Sequence, residues 1–263
     1  MIRKIILSFG AILFLSAAYA ETILFNEQNS FVSPRITFAD GVFTISGNGR
    51  FMSRRVIRLD ENKRYTLQMQ IRRTPGSPEV MAYVGFQQFD AQSKFLLPEY
   101  YRVVRQTSCT LLEPAAQGDT QIKITRPAAW NNNAVRYGWY IAFDTSGEVD
   151  DVPNMNVIRI RSFEEIPGGL LITLSSPLRE PHRRGEKACF HSGGPGMYTA
   201  LQGRKLTDQW QEISGTVQGF SHLAGHNQWW QDAAIAKILL VLTPTSADRN
   251  LSVEIKDVKI IIE

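Results

Sequence analysis

The chain has 263 residues, of which 43% are hydrophobic, 21% charged and 10% aromatic, as in a folded globular protein. The formal net charge of +4 excludes a dedicated nucleic-acid binder, because such a protein needs a large basic excess to neutralise phosphates. With 19 Gly, 12 Pro and two Cys, the sequence is rich in turns but is not that of a small disulfide-stabilised scaffold.

The first twenty residues have the pattern of a cleavable secretory signal peptide. Two basic residues precede an apolar run over 5–15, and Ala18 and Ala20 supply the small residues of a cleavage site. A membrane anchor is the alternative, but the run is shorter than the roughly 20 residues that cross a bilayer. We predict cleavage after Ala20 and a secreted or periplasmic protein whose mature chain has no transmembrane segment.

Alternation of apolar and polar residues predicts many short strands. It is most regular over 64–73, where every second residue from Tyr65 to Ile71 is apolar. The segment 79–90 repeats the pattern after Pro75-Gly76-Ser77-Pro78, so we predict that these two strands are antiparallel neighbours. In the last strand the alternation slips by one residue at Lys256-Asp257, which predicts a β-bulge.

The predicted fold class is all-β, an antiparallel β-sandwich. No long helical period is present, and many short strands separated by turns are typical of a sandwich, with a closed barrel as the structural alternative. Further strands are predicted at 41–46, 54–59, 100–104, 108–112, 121–124, 137–143, 157–163, 169–175, 186–191, 211–218 and 235–243.

The two cysteines bracket a stretch that differs from its flanks. Cys109 and Cys189 lie on predicted strands in a chain expected to reach an oxidising compartment, so we predict a disulfide between them; two buried free thiols are the alternative. We interpret this stretch as a β-rich insertion. The predicted organisation is a signal peptide over 1–20, the first part of the sandwich over 21–106, the insertion over 107–191 and the second part over 192–263.

The flanks of the insertion resemble a known class of module. Segments 38–47, 64–72 and 84–90 resemble the opening strands of carbohydrate-binding jelly-roll modules, the galactose-binding-like sandwiches, and segments 208–217 and 251–260 are similar to their late strands. The resemblance covers 35–107 and 196–263, and it implies a jelly roll that binds a polysaccharide or glycan. It also implies a structural calcium ion near the terminal strands with Asp257 as a ligand; the alternative is that Asp257 is the solvent-facing residue of the bulge.

Aromatic residues are the candidates for sugar binding, because the apolar faces of sugar rings stack on Trp and Tyr. Trp229 and Trp230 lie in a polar segment, 222–232, that we interpret as a loop, and Tyr100 and Tyr101 form a second candidate pair. The alternative is that these side chains cap the core. The other candidate aromatics are assigned to packing, either in the core or in the insertion: Trp210, Trp130, Trp139 and Tyr140.

Evidence for a metal or a catalytic centre is weak. His222 and His226 have a spacing that suits a metal only on a helix, Gly225 argues against that helix, and no third ligand is apparent. We therefore predict no metal site and no cofactor beyond the calcium that the resemblance implies. No Gly-x-Ser-x-Gly, His-Glu-x-x-His or phosphate-binding loop occurs.

The leading functional hypothesis is a non-catalytic carbohydrate-binding protein. A structural or protein-binding exported sandwich is the first alternative, and a glycan-cleaving hydrolase or lyase is the second, because a fold can bring distant carboxylates together. Basic pairs such as Arg102 with Arg105 suit acidic or sulfated sugars, although surface solvation explains them more simply. The sequence leaves the oligomeric state open.

Overall fold

Three six-stranded antiparallel sheets dominate the computed structural model, which describes residues 20–194, 203–222 and 227–263. The predicted signal peptide lies outside these residues except for Ala20. None of the described helices is long and apolar enough to cross a membrane. The all-β prediction, an antiparallel sandwich with an inserted β-rich unit, is confirmed.

Sheet 1 forms one layer of the sandwich. Its main path runs β16-β6-β20-β3-β2, and β1 pairs with β20. The strands are β1 (Glu21–Leu24), β2 (Ile36–Ala39), β3 (Val42–Ser46), β6 (Arg64–Arg73), β16 (Gln211–Gln218) and β20 (Ser252–Ile262).

Sheet 2 forms the other layer. Its main path runs β15-β7-β19-β4, with β5 beside β19 and β8 beside β7. The strands are β4 (Gly49–Met52), β5 (Ile57–Arg58), β7 (Val80–Phe89), β8 (Phe95–Leu96), β15 (Arg204–Lys205) and β19 (Ile235–Pro244). A short parallel pair, β17 (Phe220–Ser221) with β18 (Trp229–Trp230), lies beside these layers.

The two layers share one hydrophobic core. Alternate residues of β6, such as Leu67 and Ile71, belong to the same buried cluster as Phe86 of β7 and Ile238 of β19. Since successive side chains of a strand point to opposite faces, the polar residues between them cover the outer face of sheet 1.

The prediction that 64–73 and 79–90 are neighbouring strands is wrong. The bounds are close to those observed for β6 and β7, but β6 pairs with β16 and β20, whereas β7 pairs mainly with β19. The connection over 74–79 crosses from one layer to the other. Packed sheets lie about 10 Å apart, and a segment of this length can span that distance.

The bulge predicted in the last strand is confirmed. The pairing of β20 with β6 shifts register between Lys256 and Lys259. Asp257 lies in this interval, is exposed and has a φ of 52°, a left-handed conformation that aspartate tolerates better than most residues. It is the solvent-facing residue of the bulge, and its proposed role as a calcium ligand stays a prediction.

The inserted strands form a separate sheet in the order β10-β13-β12-β11-β14-β9. They are β9 (Cys109–Thr110), β10 (Gln121–Thr125), β11 (Trp139–Phe143), β12 (Val157–Ile166), β13 (Gly169–Leu174) and β14 (Lys187–Ser192). A bridge between Leu111 and Ile124, with Leu112 N donating to Lys123 O at 2.8 Å, joins the two outermost strands and closes the sheet into a barrel. The barrel has its own buried core. The exact boundaries at 106 and 192 stay a prediction.

The predicted disulfide is not formed, and both cysteines are free and buried. Cys109 is the cross-strand partner of Ala188, so the side chain of Cys189, one residue further along β14, points to the opposite face of the sheet. Cys109 accordingly packs in the barrel core, whereas Cys189 packs outside it against Ala142 and Val157. Burial raises the pKa of each thiol to about 12.

Candidate functional site

The predicted tryptophan platform belongs to the sandwich core. Trp229 is 0% exposed and Trp230 is 1% exposed, so neither ring can stack on a saccharide at the surface. Trp229 packs edge-on against Tyr65 and Phe86, with ring centroids 5.5 and 5.1 Å away. The loop predicted for this segment is replaced at these two residues by the short strand β18, and both rings belong to the core cluster of the sandwich.

Tyr101 is also buried, at 2% exposure, and its ring stacks on Trp230. Burial raises the pKa of its phenol. Three of the four predicted sugar-binding aromatics therefore stabilise the core, and the structure brings Tyr101 and Trp230 together only as a buried pair.

Tyr100 has a different environment because of a short helix. Pro98–Tyr100 forms a 3-10 helix with Pro98 at its start, a position where proline's fixed φ is favourable and its missing N–H costs little. With about three residues per turn, consecutive side chains of such a helix point about 120° apart. Tyr101 therefore points into the core, while Tyr100 is only half-buried.

This segment joins the sandwich to the barrel. Tyr100 packs against the core of the sandwich and also against Ala142, Val157 and Cys189 on the outer face of the barrel. Backbone hydrogen bonds fix the contact: Asn154 N donates to Tyr100 O at 2.8 Å. The junction between the two units is thus closely packed around Tyr100.

Three polar side chains lie in a row on the barrel face at this junction. Tyr140 of β11 has His191 of β14 as its partner on one side and Arg159 of β12 on the other. Cross-strand partners share a face and have Cβ atoms about 5 Å apart. The ring of Tyr140 lies on Gly193, where an added Cβ would be 2.7 Å from Cε2.

We define the junction site as Glu99, Tyr100 and Arg102 of the connecting segment with Tyr140, Arg159 and His191 of the barrel. Burial raises the pKa of the Glu99 carboxyl, while Arg50 and Arg102 act in the opposite direction. Burial also raises the pKa of both phenols, and the Glu99 carboxylate adds to the effect on each. Glu99, Tyr100 and Tyr140 therefore influence one another electrostatically within one site.

His191 supplies a neutral imidazole with a fixed tautomer. Its Nδ1 lies 2.6 Å from the backbone carbonyl of Glu99, which can only accept, so Nδ1 carries the proton. Burial lowers the pKa of the ring, which is 0% exposed. Nε2 then presents a lone pair, and no hydrogen-bond partner for it occurs among the described residues.

A groove of about 820 Å³ lies on the outer face of sheet 1. Gln68, Gln70 and Glu212 are among its lining residues. Nearby, Trp210 lies half-exposed under two cations, Arg72 at 4.4 Å and Lys256 at 4.5 Å from the ring centroid. The assignment of Trp210 to the core is therefore wrong.

No group of three or more His, Cys, Asp or Glu close enough to hold a metal ion occurs in the described ranges. His222 is exposed, and His226 lies outside the described residues. In the barrel, the buried His182 pairs with the half-buried Glu186, and Nδ1 lies 2.6 Å from Oε1.

Sequence reasoning singled out two members of the junction site, Tyr100 as an aromatic and Arg102 as one of a basic pair. The assignment of Tyr140 to packing of the insertion is incomplete. Trp139 and Ile141 face the barrel core, so the alternation of side chains along 139–143 places Tyr140 on the outer face. Alternation along β14 likewise places His191 on the outer face, because its neighbour Phe190 lies in the barrel core. No sequence pattern predicts that Tyr100 packs against this outer face of the barrel.

Comparisons with known proteins give no family. No family model matches the chain, and no curated protein matches it. Among solved structures, the winged bean acidic lectin in complex with methyl-α-D-galactose has 11% identity and a TM-score of 0.32, over 93% of this chain and 98% of its own. Lectin I-B4 from Griffonia simplicifolia, in a metal-free form, has 10% identity and a TM-score of 0.27, over 94% and 99% of the two chains.

Proposed function

We propose that the protein binds a carbohydrate at the junction site. The observation that carries the proposal is the pair of half-buried tyrosines, Tyr100 and Tyr140, beside the half-buried Glu99 carboxyl. Phenol rings offer apolar surface for the C–H face of a sugar, and the neighbouring polar groups offer donors and acceptors for its hydroxyls. The predicted export signal is consistent with a ligand outside the cytoplasm.

The site is also preorganised, which favours binding. Tyr140 is held on the backbone of Gly193, and His191 is fixed by its bond to the Glu99 carbonyl. Side chains that are already ordered lose little conformational entropy when a ligand arrives.

The test is a binding screen of the purified protein on a glycan array and on soluble polysaccharides. Tyr100→Ala and Tyr140→Ala are run beside Tyr137→Ala, a matched control because Tyr137 is 56% exposed and lies outside the junction site. We expect a loss of at least about tenfold in affinity in the first two variants and none in the control, since one stacked aromatic contributes on the order of 1 kcal/mol or more. Absence of binding across the screen, or equal loss in all three variants, contradicts the proposal.

A glycan-cleaving enzyme is the second candidate, and one observation favours it. General acid–base catalysis needs a proton donor, and burial favours the protonated form of the Glu99 carboxyl. Release of new reducing ends or of unsaturated products from a polysaccharide that the protein binds would favour this candidate. Loss of that activity in Glu99→Gln with binding retained would assign the carboxyl a catalytic role.

A further inference from the structure

The junction site has more positive than negative groups around it. One carboxyl, that of Glu99, belongs to the site. The guanidinium groups that act on the pKa of its titratable side chains are those of Arg50 and Arg102 at Glu99, Arg159 at Tyr140 and Arg179 at Tyr100. Asp151 is a second carboxylate that acts on the site, at His191. The four guanidinium groups still outnumber the two carboxylates when both are ionised.

Two of these arginines are positioned by the backbone. Arg159 is the cross-strand partner of Tyr140, so it lies at one end of the polar row on the barrel face. Arg102 is two residues from Tyr100, and its carbonyl accepts from Ser192 N at 2.8 Å. Its guanidinium lies against Gly194, where an added Cβ would be 2.5 Å from Nη1.

Neither Arg102 nor Arg159 forms an ion pair with a carboxylate within the described residues. Five other basic side chains there form ion pairs with carboxylates: Arg64, Arg72, Lys123, Arg126 and Lys205. Arg102 and Arg159 have no carboxylate within 4 Å in the same part of the chain, although Arg102 is half-buried. Holding the half-buried Arg102 guanidinium partly out of bulk water without an anion is costly, whereas Arg159 is exposed and free to receive a ligand from solvent. The fork of N–H donors on each guanidinium matches a carboxylate or a sulfate.

We infer that the saccharide bound at the junction site is anionic, and that Arg102 and Arg159 receive its carboxylate or sulfate group while Tyr100 and Tyr140 contact the ring. The inference rests on the proposed function, because it names the class of ligand for the same site. It distinguishes the junction site from the groove on sheet 1, where polar amides predominate among the residues on β6.

The experiment compares charged and neutral polymers on the purified protein. Calorimetric titrations use polygalacturonate as the carboxylated probe, dextran sulfate as the sulfated probe, and dextran as the neutral probe. Each is repeated with Arg102→Gln, Arg159→Gln and the control Arg249→Gln, which removes one exposed charge from the turn between β19 and β20. Arg102→Lys keeps the charge and loses the planar fork, and thermal unfolding of every variant verifies that the fold is intact.

We expect at least one charged polymer to bind tenfold or more tightly than dextran, and each junction variant to lose about tenfold. Arg249→Gln should retain the affinity, and Arg102→Lys should fall between the wild type and Arg102→Gln. Preference for the carboxylated or the sulfated polymer identifies the anionic group.

Two outcomes overturn the inference while the proposed function stands. The first is equal binding of dextran and the charged polymers with loss in Tyr100→Ala alone. The second is a loss in Arg249→Gln as large as in the junction variants, which indicates attraction to net charge and not to a site. If no glycan of any class binds, the proposed function fails and this inference fails with it.

Discussion

The ring of Tyr101 stacks on the ring of Trp230 with centroids 4.3 Å apart and planes 9° from parallel. The pair lies in the sandwich core, and Trp230 is fixed further because its backbone N–H donates to Gln88 Oε1 at 2.8 Å. Aromatics that looked like a binding platform therefore contribute to stability.

The first prediction concerns this pair. Trp230→Ala should lower the free energy of unfolding by about 3–5 kcal/mol, because it leaves a large cavity beneath Tyr101. Trp230→Phe keeps a ring and should lose less. Urea denaturation measures both. A Trp230→Ala protein that has wild-type stability but no longer binds glycan would contradict this prediction and support a direct contact of Trp230 with the sugar.

The second prediction is a dependence of stability on pH at Glu99. Burial raises its pKa in the folded protein, so its contribution to stability is fully present below the unfolded pKa of about 4.3 and is lost as the pH rises through the folded pKa. Glu99→Gln cannot ionise, so its stability relative to wild type should increase between pH 4 and pH 8. Urea midpoints at five pH values measure the difference. A difference that decreases with pH would mean that Arg50 and Arg102 outweigh burial.

The third prediction concerns the thiols. Because Cys109 and Cys189 are buried on opposite faces of one sheet, alkylation without reductant should modify neither in the folded protein and both after unfolding. Mass spectrometry counts the added groups. Resistance of the unfolded chain to alkylation, reversed by reductant, would instead demonstrate the bridge that the sequence suggested.

The fourth prediction concerns the bulge at Asp257. Its φ of 52° is unfavourable for a β-branched residue, so Asp257→Val should destabilise the protein by about 1–2 kcal/mol, whereas Asp257→Gly should be neutral or slightly stabilising. Thermal unfolding measures both changes, and repeating it with calcium and with a chelator tests the suggested ion. A rise in Tm with calcium that Asp257→Gly abolishes would establish Asp257 as a ligand.

Much of the strand pattern was available from the sequence. The bounds of β6 and β16 match the predicted 64–73 and 211–218, and the slip in β20 fell at the predicted position. Alternation is a local property, and one buried face is enough to impose it.

Contacts between distant segments were not available. Alternation indicates that 64–73 has a buried face but not which strand is its neighbour, and it cannot place Cys109 and Cys189 on the same or opposite faces without the register. The sequence around a tryptophan in a polar segment does not distinguish a ring that packs in the core from a ring that binds a ligand. Tyr100 was found as an aromatic, while its partners Tyr140 and His191 depend on the packing of the barrel against the sandwich.

The hydrogen bond from Ser192 N to Arg102 O, at 2.8 Å, brings the entry and the exit of the barrel side by side. About 90 residues separate these two points, and closing a flexible loop of that length costs about 4 kcal/mol in chain entropy. When the barrel is folded, residues 102 and 192 are already close together, so most of this entropy loss no longer opposes the assembly of the sandwich. The folded barrel thus holds together the ends of two segments that are distant in the chain and that form the sandwich between them.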